Sequence, residues 1–251
     1  MLRLPLIAAV ALSIATLACA QGSAKGGTFE TIDDIAWSYR AASGPESKAV
    51  LRFTRDDMSS TFDPSDLPEI MDALAASPDT PSGDISFSLA REAGALACAG
   101  RTTAQGRAAG TCRFDPDERF IAGLAARDLH PEDIEELLGL ALVDARLASV
   151  DGLSREGFSL EDVGQLMAVS PLDVTPAFVA ELREAGLVAT ETDDLIAACA
   201  LEIDGAWVKA MAEAGYPDLG IEKAIQMRAL GVTPDYARRM VRVMRATEGT
   251  E

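Results

Sequence analysis

The spacing of apolar and polar positions changes once along the chain. Between residues 31 and 114 it is two: Ile85, Phe87 and Leu89 alternate with Ser86 and Ser88, and Ala49 to Phe53, Leu96 to Gly100 and Ala108 to Phe114 are short runs bounded by turn residues. Side chains two apart share one face of a strand, so these runs predict an antiparallel sheet with one buried side. Asp56-Asp57 reads as a turn into Ser59 to Phe62. Ile32, Ile35, Ala36 and Trp37 begin an apolar contact before Ser43-Gly44-Pro45 breaks the chain. One helix is predicted in this part, starting at Pro64-Ser65-Asp66-Leu67-Pro68 and ending near Ser77, because Leu67, Ile70, Met71 and Leu74 fall on one helical face.

From Asp115 onward the spacing is helical, with a longer period laid over it. Val174-Thr175-Pro176-Ala177-Phe178-Val179 recurs as Ile203-Asp204-Gly205-Ala206-Trp207-Val208 and as Val232-Thr233-Pro234-Asp235-Tyr236-Ala237, a period of 29 (203 − 174 = 232 − 203). A fixed period of this length marks a repeat architecture. The first helix of each unit carries apolar positions expected in the core: Phe120, Ile121 and Leu124; Val150 and Leu153; Phe178, Val179 and Leu182; Trp207, Val208 and Met211; Tyr236 and Met240. The second carries Ile134, Leu137 and Leu138; Val163, Leu166 and Met167; Leu195 and Ile196; Ile221, Ala224 and Ile225. Thr175 and Thr233 before proline, and the acids Asp117 and Asp204, are placed to cap first helices. Gly157, Gly186 and Gly215 are placed to end them, each followed by an apolar residue. The second unit is the weakest copy, with Arg146 at the cap and Ser149 at the aromatic position, so residues 144–172 are expected to be the least regular or least stable part.

The predicted fold class is therefore α+β: a small antiparallel β domain at 31–114, then an all-α array of 29-residue helix-turn-helix repeats at 115–245, about four and a half units, and a tail at 246–251. Residues 1–20 read as an export signal. Arg3 precedes the apolar run Leu4 to Leu17, and Ala18-Cys19-Ala20 supplies small residues before Gln21; the run is shorter than the roughly 20 residues of a membrane-spanning helix. Cleavage before Gln21 fits better than lipidation of Cys19, because Thr16 and Leu17 depart from the lipoprotein pattern. Residues 21–30 read as a flexible leader.

Composition narrows the partners. Forty acidic against 22 basic side chains give a net charge of −18, which disfavours nucleic acid. An exported chain permits disulfides, and Cys98 and Cys112 lie symmetrically about Gln105, the expected hairpin centre, as a disulfide or as two buried free thiols. Cys199 lies at the edge of a second-helix stripe and reads as an inert thiol. His130 is the single histidine, and neither it nor the cysteine spacing suggests a metal site or a cofactor. The acid pairs Glu132/Asp133, Glu161/Asp162 and Asp193/Asp194 fit first-turn positions favoured by the helix dipole.

The segment Gly231-Val232-Thr233-Pro234-Asp235-Tyr236-Ala237-Arg238-Arg239-Met240, with Phe87 to Gly94 and Gly106 to Phe114, resembles the helical repeats and preceding β module found in exported bacterial proteins and behind antirepressor-type membrane metallopeptidases. The peptidase motif H-E-x-x-H does not occur, so the resemblance implies no catalytic residue. The reading that follows is a noncatalytic extracytoplasmic protein, periplasmic or extracellular, that binds another envelope or membrane protein, or a peptide, without itself being an integral membrane protein. The alternative is a secreted, metal-free hydrolase using paired carboxylates.

Overall fold

The structure, a computed structural model, describes residues 29–44, 47–76, 83–103 and 106–248. The export signal expected at 1–20, with Cys19, lies outside them, as does the expected leader up to Thr28. The next residue, Phe29, already packs against the core.

Six strands form one antiparallel sheet: β1 (Ile32–Arg40), β2 (Val50–Arg55), β3 (Met58–Phe62), β4 (Asp84–Arg91), β5 (Gly94–Thr103) and β6 (Arg107–Pro116), in the order β3-β2-β1-β6-β5-β4. Alternation buries Ile35 and Trp37, Leu51 and Phe53, Ile85, Phe87 and Leu89, Leu96 and Cys98, and Ala108, Cys112 and Phe114 on one face. Helix α1 (Pro68–Ala76) packs against β4. Strand β1 is central, although its residues predict only an apolar contact. The reason is local: its register against β6 shifts between Ile32 and Ile35, so Asp33 and Asp34 interrupt the period-two signal exactly where the strand begins.

Trp37 organises this core. Its indole passes over Gly110 and Gly100, which face each other across β6 and β5, and its Nε1 donates to the Ala99 carbonyl at 3.2 Å. Phe87 meets the ring edge-on at 5.0 Å between centroids. Cys98 and Cys112 are directly opposite across the β5–β6 hairpin and form a disulfide, with Cα atoms 4.0 Å apart.

Nine helices follow among the described residues. The series α2 (Glu118–Ala125), α4 (Leu147–Arg155), α6 (Pro176–Glu184), α8 (Gly205–Glu213) and α10 (Pro234–Glu248) alternates with α3 (Ile134–Leu142), α5 (Val163–Val169), α7 (Thr192–Ala200) and α9 (Ile221–Ala229). Helices of the second series pack on one another in turn, α3 on α5, α5 on α7 and α7 on α9; in the first series α2 packs on α4, α6 on α8 and α8 on α10. Helix α3 also lies against β5 and β6, and a single apolar core runs from Ile35 to Ala237.

The caps are those expected: Asp117 accepts from Phe120 N–H, Thr175 from Phe178 N–H, Asp204 from Trp207 N–H and Thr233 from Tyr236 N–H. Left-handed residues end the helices at Asp128, Gly157, Gly186 and Gly215, and at Asp144, Asp173, Glu202 and Gly231. After each, the N–H of the next residue returns to a carbonyl in the last helical turn, as in Phe158 to Leu153 (3.0 Å) and Ile203 to Ala198 (2.9 Å). The sequence marks only the glycines among these, because an acidic residue carries no comparable signal for the left-handed region.

Four details differ from the expected boundaries and burial. Strand β6 runs to Pro116 rather than 114, and α10 runs to Glu248, into the expected tail. Tyr236 and Met240, expected in the core, are 46% and 40% exposed. The second unit, expected to be the least regular or least stable, does form the helices α4 and α5, of which α5 is the shortest of the nine at seven residues. Arg146 makes no side-chain cap there; Leu147 N–H instead donates to Glu92 Oε2 at 3.0 Å, from the β4–β5 turn. Glu92→Ala is expected to cost about 1 kcal/mol in urea unfolding, the usual worth of a helix cap, and an unchanged midpoint would show that this long-range cap contributes nothing.

Candidate interaction surface

The alternation that buries one sheet face exposes the other, which carries Ala36, Ser38 and Arg40 of β1, Arg52 of β2, Ala97, Ala99 and Arg101 of β5, and Arg107, Ala109, Thr111 and Arg113 of β6. Register concentrates the arginines toward one end. Arg40 is opposite Arg107, Ser38 lies between Arg52 and Ala109, and Ala109 is opposite Arg101. Because the residues between them are small, the arginines border an open depression of about 390 Å³ with Ser38, Arg40, Arg52, Arg107 and Ala109 in its lining.

Arg101 and Arg113 have carboxylate partners on the sheet. Arg101 meets Asp84 at 3.1 Å and Arg113 meets Asp115 at 3.1 Å, where hydrogen bonds from Arg113 and Thr31 hold the Asp115 carboxyl below the usual carboxylate range. Arg40 and Arg52 make no ion pair among the described residues. Arg40 and Arg52 thus bring guanidinium charge without a salt bridge among the described residues to the depression, in a chain whose net charge is −18.

The arginines nearer the helices have structural partners. Arg55 bridges Asp34 (2.7 Å) and Glu135 of α3. Its hydrogen bond to Asp34 holds that carboxyl low. Arg91 binds Glu69 of α1 at 2.8 Å, lowering the Glu69 carboxyl, and approaches Asp144 at 3.6 Å. These pairs hold α1 and the start of the array to the sheet.

The acid pairs weighed for hydrolysis stand at the starts of α3, α5 and α7. Asp133 accepts from Glu136 N–H and Asp162 from Gln165 N–H, while Asp194 accepts from Thr190 and Glu191 N–H. They cap helices. His130 is exposed in the loop before α3. The Cys199 thiol donates to the Leu172 carbonyl at 3.0 Å, and burial pushes its pKa up, away from the thiolate. Among the described residues, no group of three or more His, Cys, Asp and Glu side chains could hold a metal ion, and no helix is long and apolar enough to cross a membrane.

The arginine face escapes a motif search because it is written in register rather than in order. Arg52 and Arg113 sit within predicted strands, but Arg101 and Arg107 fall just outside the predicted runs 96–100 and 108–114, and Arg40 joins them only through β1, the strand whose alternation is interrupted. No protein-family model, curated protein or solved structure matches this chain.

Proposed function

We propose that this chain is a noncatalytic extracytoplasmic binding or scaffold protein of the bacterial cell envelope, in which α2–α10 form a stack of 29-residue helical repeats and the outer sheet face takes an anionic group of a protein or peptide partner. The observation that carries the reading is the pair Arg40 and Arg52, without salt bridges among the described residues, beside an open depression in a strongly acidic chain. The repeat reading is supported by the left-handed residues, which recur at intervals of 29 (157 − 128 = 186 − 157 = 215 − 186, and 173 − 144 = 202 − 173 = 231 − 202). Export is supported by the apolar N-terminal run of the sequence and by the Cys98–Cys112 disulfide, since disulfides persist in oxidising compartments. The use of the acid pairs as caps favours binding over carboxylate hydrolysis.

The test is a photocrosslinking residue at Ser38, with and without Arg40→Glu and Arg52→Glu, in cell-envelope fractions. A crosslinked partner should appear with the parent and fall about tenfold with the double variant, as loss of interface arginines does elsewhere, while thermal stability stays within about 0.5 kcal/mol as for other surface changes. Metal-free hydrolysis by the purified chain, lost on replacing one acid pair, would overturn the reading.

A further inference from the structure

The sheet has two edges, and they are not alike. Strand β3 offers five residues, whereas β4 offers eight, in unbroken register with β5. Edge strands are usually blunted by a lysine, a proline or a bulge, and Asp84 to Arg91 contains none of these. The hydrogen-bond phase shows which backbone groups this edge presents. Thr102 N–H donates to the Gly83 carbonyl at 2.8 Å, and residues 83 and 102 continue the β4–β5 register, so the residues of β4 bonded to β5 are the odd-numbered ones. The N–H groups of Ser86, Ser88 and Ala90 therefore point away from β5, as do the carbonyls of Ser86 and Ser88, while the Ala90 carbonyl accepts from Arg91 at 3.1 Å. All three residues are exposed, and among the described residues no strand lies beyond β4.

Helix α1 turns this edge into a groove. Among the strands it packs mainly on β4, with Ile70 buried. Glu69 is on the array side of the helix, since its partner Arg91 also approaches Asp144, between α3 and α4. Met71 stands about 200° further round, on the opposite flank. The array meets the sheet through α3 on β5 and β6, so the flank turned away from it is the one beside the free edge. Met71 is 40% exposed there, an apolar wall next to a row of unpaired backbone groups.

Backbone and charge together select the occupant. The row of N–H and C=O groups requires an extended segment, whose alternate side chains turn toward α1 and toward the outer face of the sheet. Arg91 and Arg101, beside the two ends of the edge, are held by Glu69 and Asp84, whereas Asp66 and Asp72, exposed before and within α1, make no ion pair among the described residues. We infer that the β4 edge docks an extended segment of a partner protein, alternating apolar and basic residues, as an added strand of the sheet. A second copy paired through β4 does not fit, because it brings its own α1 onto the first: neighbouring strands lie about 4.8 Å apart, and packed helices about 8–10 Å. The inference is independent of the arginine face, since β6 and β5 separate β1 from this edge.

The probe is a fluorescein-labelled octapeptide of alternating lysine and valine, titrated by anisotropy against the full chain, with amide exchange followed residue by residue. Saturable binding is expected, with slowed exchange at Ser86 and Ser88 in the complex. Affinity should fall about tenfold with Met71→Lys, the scale of losing one interface anchor, and about as much with Ser88→Pro, which removes an outward N–H and leaves the bonds to β5 in place. Met71 is partly exposed, so its variant tests the groove without opening the core, and the same peptide with every backbone nitrogen methylated should not bind. Absence of saturable binding, unchanged exchange at Ser86 and Ser88, equal affinity for the methylated peptide or for alternating glutamate and valine, or self-association of the chain that Ser88→Pro abolishes would each overturn the inference. Crosslinking at Ser38 is untouched by these outcomes, so failure here and failure of the sheet-face reading are separately visible.

Discussion

Gly110→Val is expected to destabilise the protein by about 3 kcal/mol in urea unfolding, the upper range for overpacking a core, and to move Trp37 emission to longer wavelength in a Trp207→Phe background. A Cβ at Gly110 would stand 2.0 Å from the Ala99 carbonyl oxygen and 2.5 Å from the Gly100 Cα, both backbone atoms of β5. Relief would require β5 and β6 to part at the point where Trp37 crosses them. A Cβ at Gly100 would meet the Ala109 carbonyl at 2.3 Å and the Trp37 ring at 2.7 Å, so Gly100→Val should reproduce both effects. A side chain at Gly100 competes with the indole directly, one at Gly110 acts by pushing β5 away, and the hydrogen bond from Trp37 Nε1 to Ala99 is lost when ring and strand separate. Unchanged emission with an unchanged midpoint would show that the indole does not depend on this glycine pair.

The same residues show what the sequence could and could not express. Period-two alternation in Ile85 to Leu89 is a local property of consecutive residues, and it placed β4 and its buried face correctly. The glycines at 100 and 110 become meaningful only when β1 lays Trp37 across them, which is a property of strand order. The helical part was more legible because each of its signals is short-range. A cap, an apolar stripe and a left-handed terminator lie within a dozen residues. Where a copy lacks the local signal, as at Arg146, the substitute came from Glu92, 55 residues away in sequence, which no local reading can supply. The arginine face failed to appear for a related reason: it is assembled across strands. The 46% exposure of Tyr236, which has the sequence of a core position, is likewise set by its surroundings rather than by its own residue type.

Removing the disulfide with Cys98→Ala and Cys112→Ala is expected to cost about 3 kcal/mol, the chain-entropy value for a loop of roughly 15 residues. The sequence separation is 14, so the bridge constrains a short loop, but it does so at the middle of the β5–β6 ladder, the pair of strands that α3 packs against. Both sulfur residues are nearly inaccessible, at 4% and 2% exposure, so the alanine pair also removes packed volume, and its loss should not fall below the entropic figure. Reduction without substitution separates the two contributions: the reduced parent keeps the sulfur atoms and loses only the constraint, and it should therefore unfold at a denaturant concentration between those of the oxidised parent and the alanine pair. Burial also predicts that reduction of the native protein is slow in buffer and accelerates in denaturant, followed by alkylation and mass spectrometry. Coincident unfolding of oxidised and reduced parent would mean that the constraint adds nothing to stability, and free thiols at both positions in exported protein would remove the bridge altogether.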